Sequence, residues 1–127
     1  MSLITPLNRV LGLGTATGGT EHWWAQRLTA VALVPLGLWF TLSLAGFDDY
    51  SYATMAAWLR SPITGALLVV TTLCVVYHSW LGVQIVVEDY IHATGLKVLV
   101  LVLSTFGHAL GAIAGVFAIL KIAVGTS

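Results

Sequence analysis

Three long runs without a single Asp, Glu, Lys or Arg dominate the chain: Leu28 to Phe47, Ser61 to Val87 and Val98 to Leu120. About 20 apolar residues, rising about 1.5 Å each, cross a hydrocarbon core of roughly 30 Å, so every run is long enough to span a bilayer. A lone spanning segment must be helical, because lipid leaves no water to satisfy its backbone groups. The chain therefore reads as a single all-α membrane domain over residues 1–127, with transmembrane helices at about 28–47, 61–87 and 98–120. Composition supports this, with 58% hydrophobic and only 8% charged residues, where a soluble domain carries about a quarter charged. Five basic and five acidic residues balance to a net charge of zero, which provides no basic stripe for nucleic acid. Cys74 is the single cysteine and lies within an apolar run, as a small buried hydrophobe.

The residues flanking the runs predict how the helices begin and how they are joined. Gly18 and Gly19 should break the chain, Thr20 should cap the first helix and Glu21 should lie in its first turn near the positive dipole end. Trp23 and Trp24 mark the headgroup level, and Pro35 should kink the helix by removing one backbone bond. Asp48 to Arg60 reads as a linker and Pro62 as a first-turn proline. The short connection from about Glu88 to Lys97 makes the second and third helices antiparallel neighbours. Arg9, Arg27 and Lys97 on one side, against Arg60 and Lys121 on the other, favour a cytoplasmic N-terminus. Arg9 is followed by a Gly- and Thr-rich stretch and not by an apolar h-region, so no cleaved signal peptide is expected. Gly12, Gly14, Gly18 and Gly19 miss the spacing of a dinucleotide fingerprint. Gly107, Gly111 and Gly115, four apart, predict a bare face for close helix packing.

Chemistry concentrates at the end of the second helix, in Tyr77 to His92. His78, Gly82, Ile85 and Asp89 fall on one helical stripe, with the histidine and the carboxylate about 16 Å apart along the axis. Ionisable groups within a membrane are costly and are functional candidates by default. Two roles are open for His78: a hydrogen bond to Ser or Thr across helices, or axial ligation of a haem iron in a site between helices. Gly82, one turn away, favours the second by leaving room for a flat macrocycle. One histidine supplies one ligand, and the other would come from a partner chain or from His108, which lies at a similar depth. A histidine hydrogen-bonded between helices is the expected role of His108, and solvated interfacial side chains are expected for His22 and His92.

The pattern H-x3-G-x6-DY, from His78 to Tyr90 on the second of three helices, resembles the hydrophobic membrane-anchor subunit of succinate dehydrogenase, the smaller of the two anchors in that complex. QRLTAVAL at Gln26 to Leu33 is similar to that family's arginine and Thr-Ala pair at the start of its first helix. The resemblance extends in length and helix count along essentially the whole chain. The larger anchor carries S-x2-H-R-x-T-G, of which only QRLT is found here, so the smaller anchor is preferred. The resemblance implies that His78 is the axial ligand to a haem b shared with the partner subunit and that Arg27 lies near a haem propionate. It also implies that Asp89 and Tyr90 border the ubiquinone pocket. A quinone carbonyl needs a hydrogen-bond donor, which Tyr90 can supply, while Asp89 can orient that hydroxyl or relay protons.

The implied partners are the larger membrane-anchor subunit, with which the three helices would form a bundle, the iron–sulfur and flavoprotein subunits, and membrane lipid. Succinate would be oxidised elsewhere in the complex and its electrons passed to quinone at this membrane domain. The expected location is the bacterial inner (plasma) membrane, multi-pass, in preference to the mitochondrial inner membrane. The rival readings are an anchor of the related fumarate reductase, a cofactor-free structural membrane protein, and a small transporter with His78 and Asp89 on a proton path.

Overall fold

A computed structural model of the chain describes residues 16–125, which form four helices and no strand. These are α1 (Ala16–Ala45), α2 (Tyr52–Arg60), α3 (Pro62–Tyr90) and α4 (Thr94–Val124). Among the described residues, α1, α3 and α4 are the three helices long and apolar enough to cross a membrane. Arg9, Gly12, Gly14 and the leader question lie outside the described residues.

Each long helix extends beyond its charge-free run at one end or both, because helical backbone bonds remain favourable through the headgroup zone while charges stop at the hydrocarbon edge. The expected start of the first helix is corrected on this point. Helix α1 begins at Ala16, so Gly18 and Gly19 do not break it and Thr20 lies inside it, not at its cap. A helical glycine costs about 1 kcal/mol relative to alanine, which does not by itself end a helix. Pro35 likewise lies within a continuous α1.

The expected linker Asp48 to Arg60 also needs correction, because most of it is α2. Ser51 caps this helix, its hydroxyl accepting from the Thr54 amide at 3.4 Å. Asp49 braces the cap by accepting from the Ser51 amide at 3.0 Å and the Thr54 hydroxyl at 3.1 Å. Tyr50 Oη donates at 2.8 Å to the Leu44 carbonyl at the end of α1, which also accepts from the Phe47 amide at 3.2 Å. Trp58 then stacks on Trp39 at 5.9 Å and meets Phe47 edge-on at 5.5 Å, which fastens α2 to the end of α1.

Helix α3 is the centre of the molecule. It packs against both α1 and α4, whose backbones do not approach each other among the described residues. The spans thus form an open layer and not a closed bundle. Leu81 is the most deeply buried side chain, at 1% exposure. The connection Ile91 to Ala93 is tight, and Lys97 Nζ donates to the Glu88 carbonyl at 3.0 Å, placing a cation on the negative end of α3. The glycine repeat divides in its role. A methyl on Gly115 would stand 2.9 Å from Thr72 Cγ2, so α3 and α4 do approach closely there, whereas Gly107 and Gly111 face open space. Successive steps of four residues advance about 40° beyond a full turn, so such a repeat drifts off the packed seam. Helix α4 buries none of its residues, and α1 exposes Val31, Leu38 and Leu42 by 60% or more. Apolar faces this large belong against lipid or another chain.

Candidate functional site

His78 sits half-buried on the side of α3 that faces α1. Two side chains of α1 reach its ring: Thr29 Oγ1 lies 3.0 Å from Nδ1 and Gln26 Nε2 lies 3.3 Å from Nε2. Gln26 and Thr29 are three apart, so both project from one face of α1. Arg27, about 100° further round the helix, leaves that face. It is exposed, with its guanidinium 5.4 Å above the Trp23 ring. Thr29 is anchored in turn, its hydroxyl donating to the carbonyls of Ala25 at 2.8 Å and Gln26 at 3.1 Å. The other end of the Gln26 carboxamide, Oε1, is buried without a hydrogen-bond partner. Gln26 also covers Gly82, where a Cβ would meet its Nε2 at 3.7 Å.

His108 belongs to the other seam. Its Nδ1 donates to the Ser104 carbonyl at 2.7 Å, and its Nε2 is 3.2 Å from the Ser79 hydroxyl on α3. It is thus a histidine hydrogen-bonded between helices, as expected. Beside it lies a groove of about 290 Å³ walled by Val76, Tyr77, Trp80 and Ala112. Trp80 spans the same depth, its indole donating to Thr105 at 3.1 Å while its ring lies 6.3 Å from His22. Asp89 and Tyr90 are both exposed, Tyr90 by 79%, at the last residues of α3. They stand about 16 Å from His78 along the axis, so the chain brings His78, Gln26 and Thr29 together and leaves Asp89 and Tyr90 as a separate interfacial pair. His92 is exposed in the connection. Among the described residues no three His, Cys, Asp or Glu side chains converge as a metal cluster.

Sequence reasoning does not single out Gln26 and Thr29 as site residues, although both stand in the QRLT segment. Their signal is two polar residues at i and i+3 at the start of an otherwise apolar span, facing the one histidine of its neighbour, which is half-buried.

Three long apolar helices, the central one carrying a histidine clasped by polar side chains of the first, define a small helical membrane protein. Residues 1–117 match the model of the family described as Succinate dehydrogenase/Fumarate reductase transmembrane subunit, and the chain belongs to that family. The succinate dehydrogenase hydrophobic membrane anchor subunit of Paracoccus denitrificans is 30% identical over 98% of this chain and 96% of its own length. That of Rickettsia bellii is 38% identical over 66% of this chain and 67% of its own. The succinate dehydrogenase membrane anchor subunit of Reclinomonas americana is 25% identical over 63% of this chain and 69% of its own.

Proposed function

We propose that the chain is the small anchor subunit of a succinate dehydrogenase, holding haem b through His78 and forming part of a ubiquinone site with Tyr90 and Asp89. The observation that carries the reading is His78 itself: a neutral-capable imidazole, half-buried between two spans of a chain in this family, with polar partners from α1 on both ring nitrogens. Its residues fit a haem. One nitrogen is braced as metal-binding histidines are, and the other meets only a carboxamide whose second end is unpaired inside the protein. Haem b, when bound, supplies a one-electron store between the iron–sulfur subunit and quinone. His108 lies on the α3–α4 seam, with Nδ1 on the Ser104 carbonyl and Nε2 beside Ser79 and not on the α1 side with His78, so a second ligand would come from the larger anchor subunit.

At the other site the quinone is the substrate. Its ring and tail need apolar walls and its carbonyl needs a donor. The phenol of Tyr90, exposed at the end of α3, is free to donate while Asp89 beside it can orient the hydroxyl or pass protons. Arg27, exposed above Trp23, is the candidate partner of a haem propionate by its two-pronged geometry. The open faces of α1 and α4 support the larger anchor subunit and lipid as neighbours, and the iron–sulfur and flavoprotein subunits would dock on the cytoplasmic side of the bacterial inner membrane. The relatives' names favour succinate oxidation over the fumarate-reducing direction that the family description also covers. An absorption spectrum of the purified complex tests the reading: a reducible b-type spectrum that His78→Ala abolishes is expected, and a complex without haem would sink it in favour of a cofactor-free membrane protein.

A further inference from the structure

We infer that Thr29 is a positioning residue for His78, fixing the ring as the Nδ1–H tautomer so that Nε2 carries the lone pair offered to iron; this rests on the haem-ligand reading above. Counting protons leads to the assignment. The Thr29 hydroxyl has one proton, and it lies 2.8 Å from the Ala25 carbonyl and 3.1 Å from that of Gln26. Carbonyl oxygens only accept, so that proton is committed to the α1 backbone. What Thr29 presents to His78 Nδ1 at 3.0 Å is therefore a lone pair, and Nδ1 must be the donor.

The opposite side of the ring suits the same tautomer. The Gln26 carboxamide nitrogen, 3.3 Å from Nε2, can donate to the lone pair that an Nδ1–H ring leaves there. The two α1 partners differ in how firmly they are held. Thr29 is tied to its own backbone, whereas Gln26 Oε1 has no partner. Gln26 is then the group that would yield Nε2 to a bound haem, and Thr29 the one that would stay. Donation from Nδ1–H fixes the ring's orientation and makes Nε2 a stronger ligand.

The test uses the intact complex, comparing Thr29→Val, which keeps the shape and removes the acceptor, with Thr29→Ser, which restores it. His78→Ala serves as the control on the parent reading. The readouts are the midpoint potential of the haem by optical titration and the low-spin ferric paramagnetic resonance signal, neither of which needs turnover. Thr29→Val should raise the potential, because a less basic imidazole stabilises ferric iron less, and should alter the ferric signal; Thr29→Ser should return both to parental values. Reduced haem content in Thr29→Val that Thr29→Ser restores supports the inference equally. A haem-replete Thr29→Val complex with parental potential and ferric signal overturns it, as does a Thr29→Ser complex that behaves like Thr29→Val. If His78→Ala keeps the parental haem, the ligand reading fails and this inference with it. If His78→Ala loses the haem while Thr29→Val is unchanged, only the role of Thr29 fails.

Discussion

At Gly115 there is no room for a side chain, because a Cβ would meet Thr72 Cγ2 at 2.9 Å and Thr72 cannot yield freely while its hydroxyl donates to the Leu68 carbonyl at 2.8 Å. Gly115→Val should therefore destabilise the chain by about 1 to 3 kcal/mol, the usual cost of overpacking. Gly107→Ala and Gly111→Ala, which meet nothing within 4 Å, should not destabilise the isolated chain and should each gain up to about 1 kcal/mol, because alanine is the better helix former. Unfolding of the three variants in detergent separates these outcomes, and equal losses would show that the repeat packs as one unit. Tyr90 lies at the other extreme, 79% exposed, and its function is set by what docks against it. Tyr90→Phe should slow quinone reduction about five- to 150-fold if a carbonyl loses its donor in a dry pocket, a cost of about 1 to 3 kcal/mol. Succinate oxidation by a soluble acceptor should continue in the same complex. Parental quinone kinetics in a haem-replete Tyr90→Phe complex would remove Tyr90 from the site.

Helix α2 shows how a short element depends on its cap. The Ser51 and Thr54 hydroxyls, with the Ser51 amide, hold the Asp49 carboxyl below its ordinary value of 3.8. A depressed carboxyl stabilises the folded form fully above that ordinary value, and the contribution is lost as the pH falls through the lower folded value. The fluorescence of Trp58, which α2 stacks on Trp39, should therefore change on acidification below about pH 4. In Asp49→Asn that change should be absent. An identical acid transition in both proteins would show that the cap does not control α2. The nine residues of α2 are too few to form a span, and between charges and tyrosines they look like a linker. The stack on α1, the buried Ala56 and the packing of α2 against α3 and α4 reveal what holds them.

On the scale of the whole molecule, an odd number of spans puts the two ends of the chain on opposite sides. A tag at the N-terminus and one in the Ile91 to Ala93 connection should report the same compartment, the cytoplasm if the basic residues govern, and a tag at Ser127 the other. Matching reports from the two termini would rule out three spans. The open layer, with α1 and α4 held apart by α3, leaves both faces of the protein to lipid and to a second membrane chain.

The number of spanning helices and the antiparallel order of α3 and α4 were legible in the sequence, because apolar length and connection length are local quantities that the bilayer converts directly into helices. The candidate status of His78 was legible too, as an ionisable group in an apolar run is costly wherever the chain leads. Its surroundings were not. That Gln26 and Thr29 rather than Arg27 reach the ring, that Gln26 covers Gly82, that His108 turns to Ser79 and that only Gly115 of its repeat is packed all depend on how helices are rotated about their axes. Nearly uniform apolar spans carry little amphipathic signal to set that rotation, so it is decided by which side chains interlock once the helices are side by side.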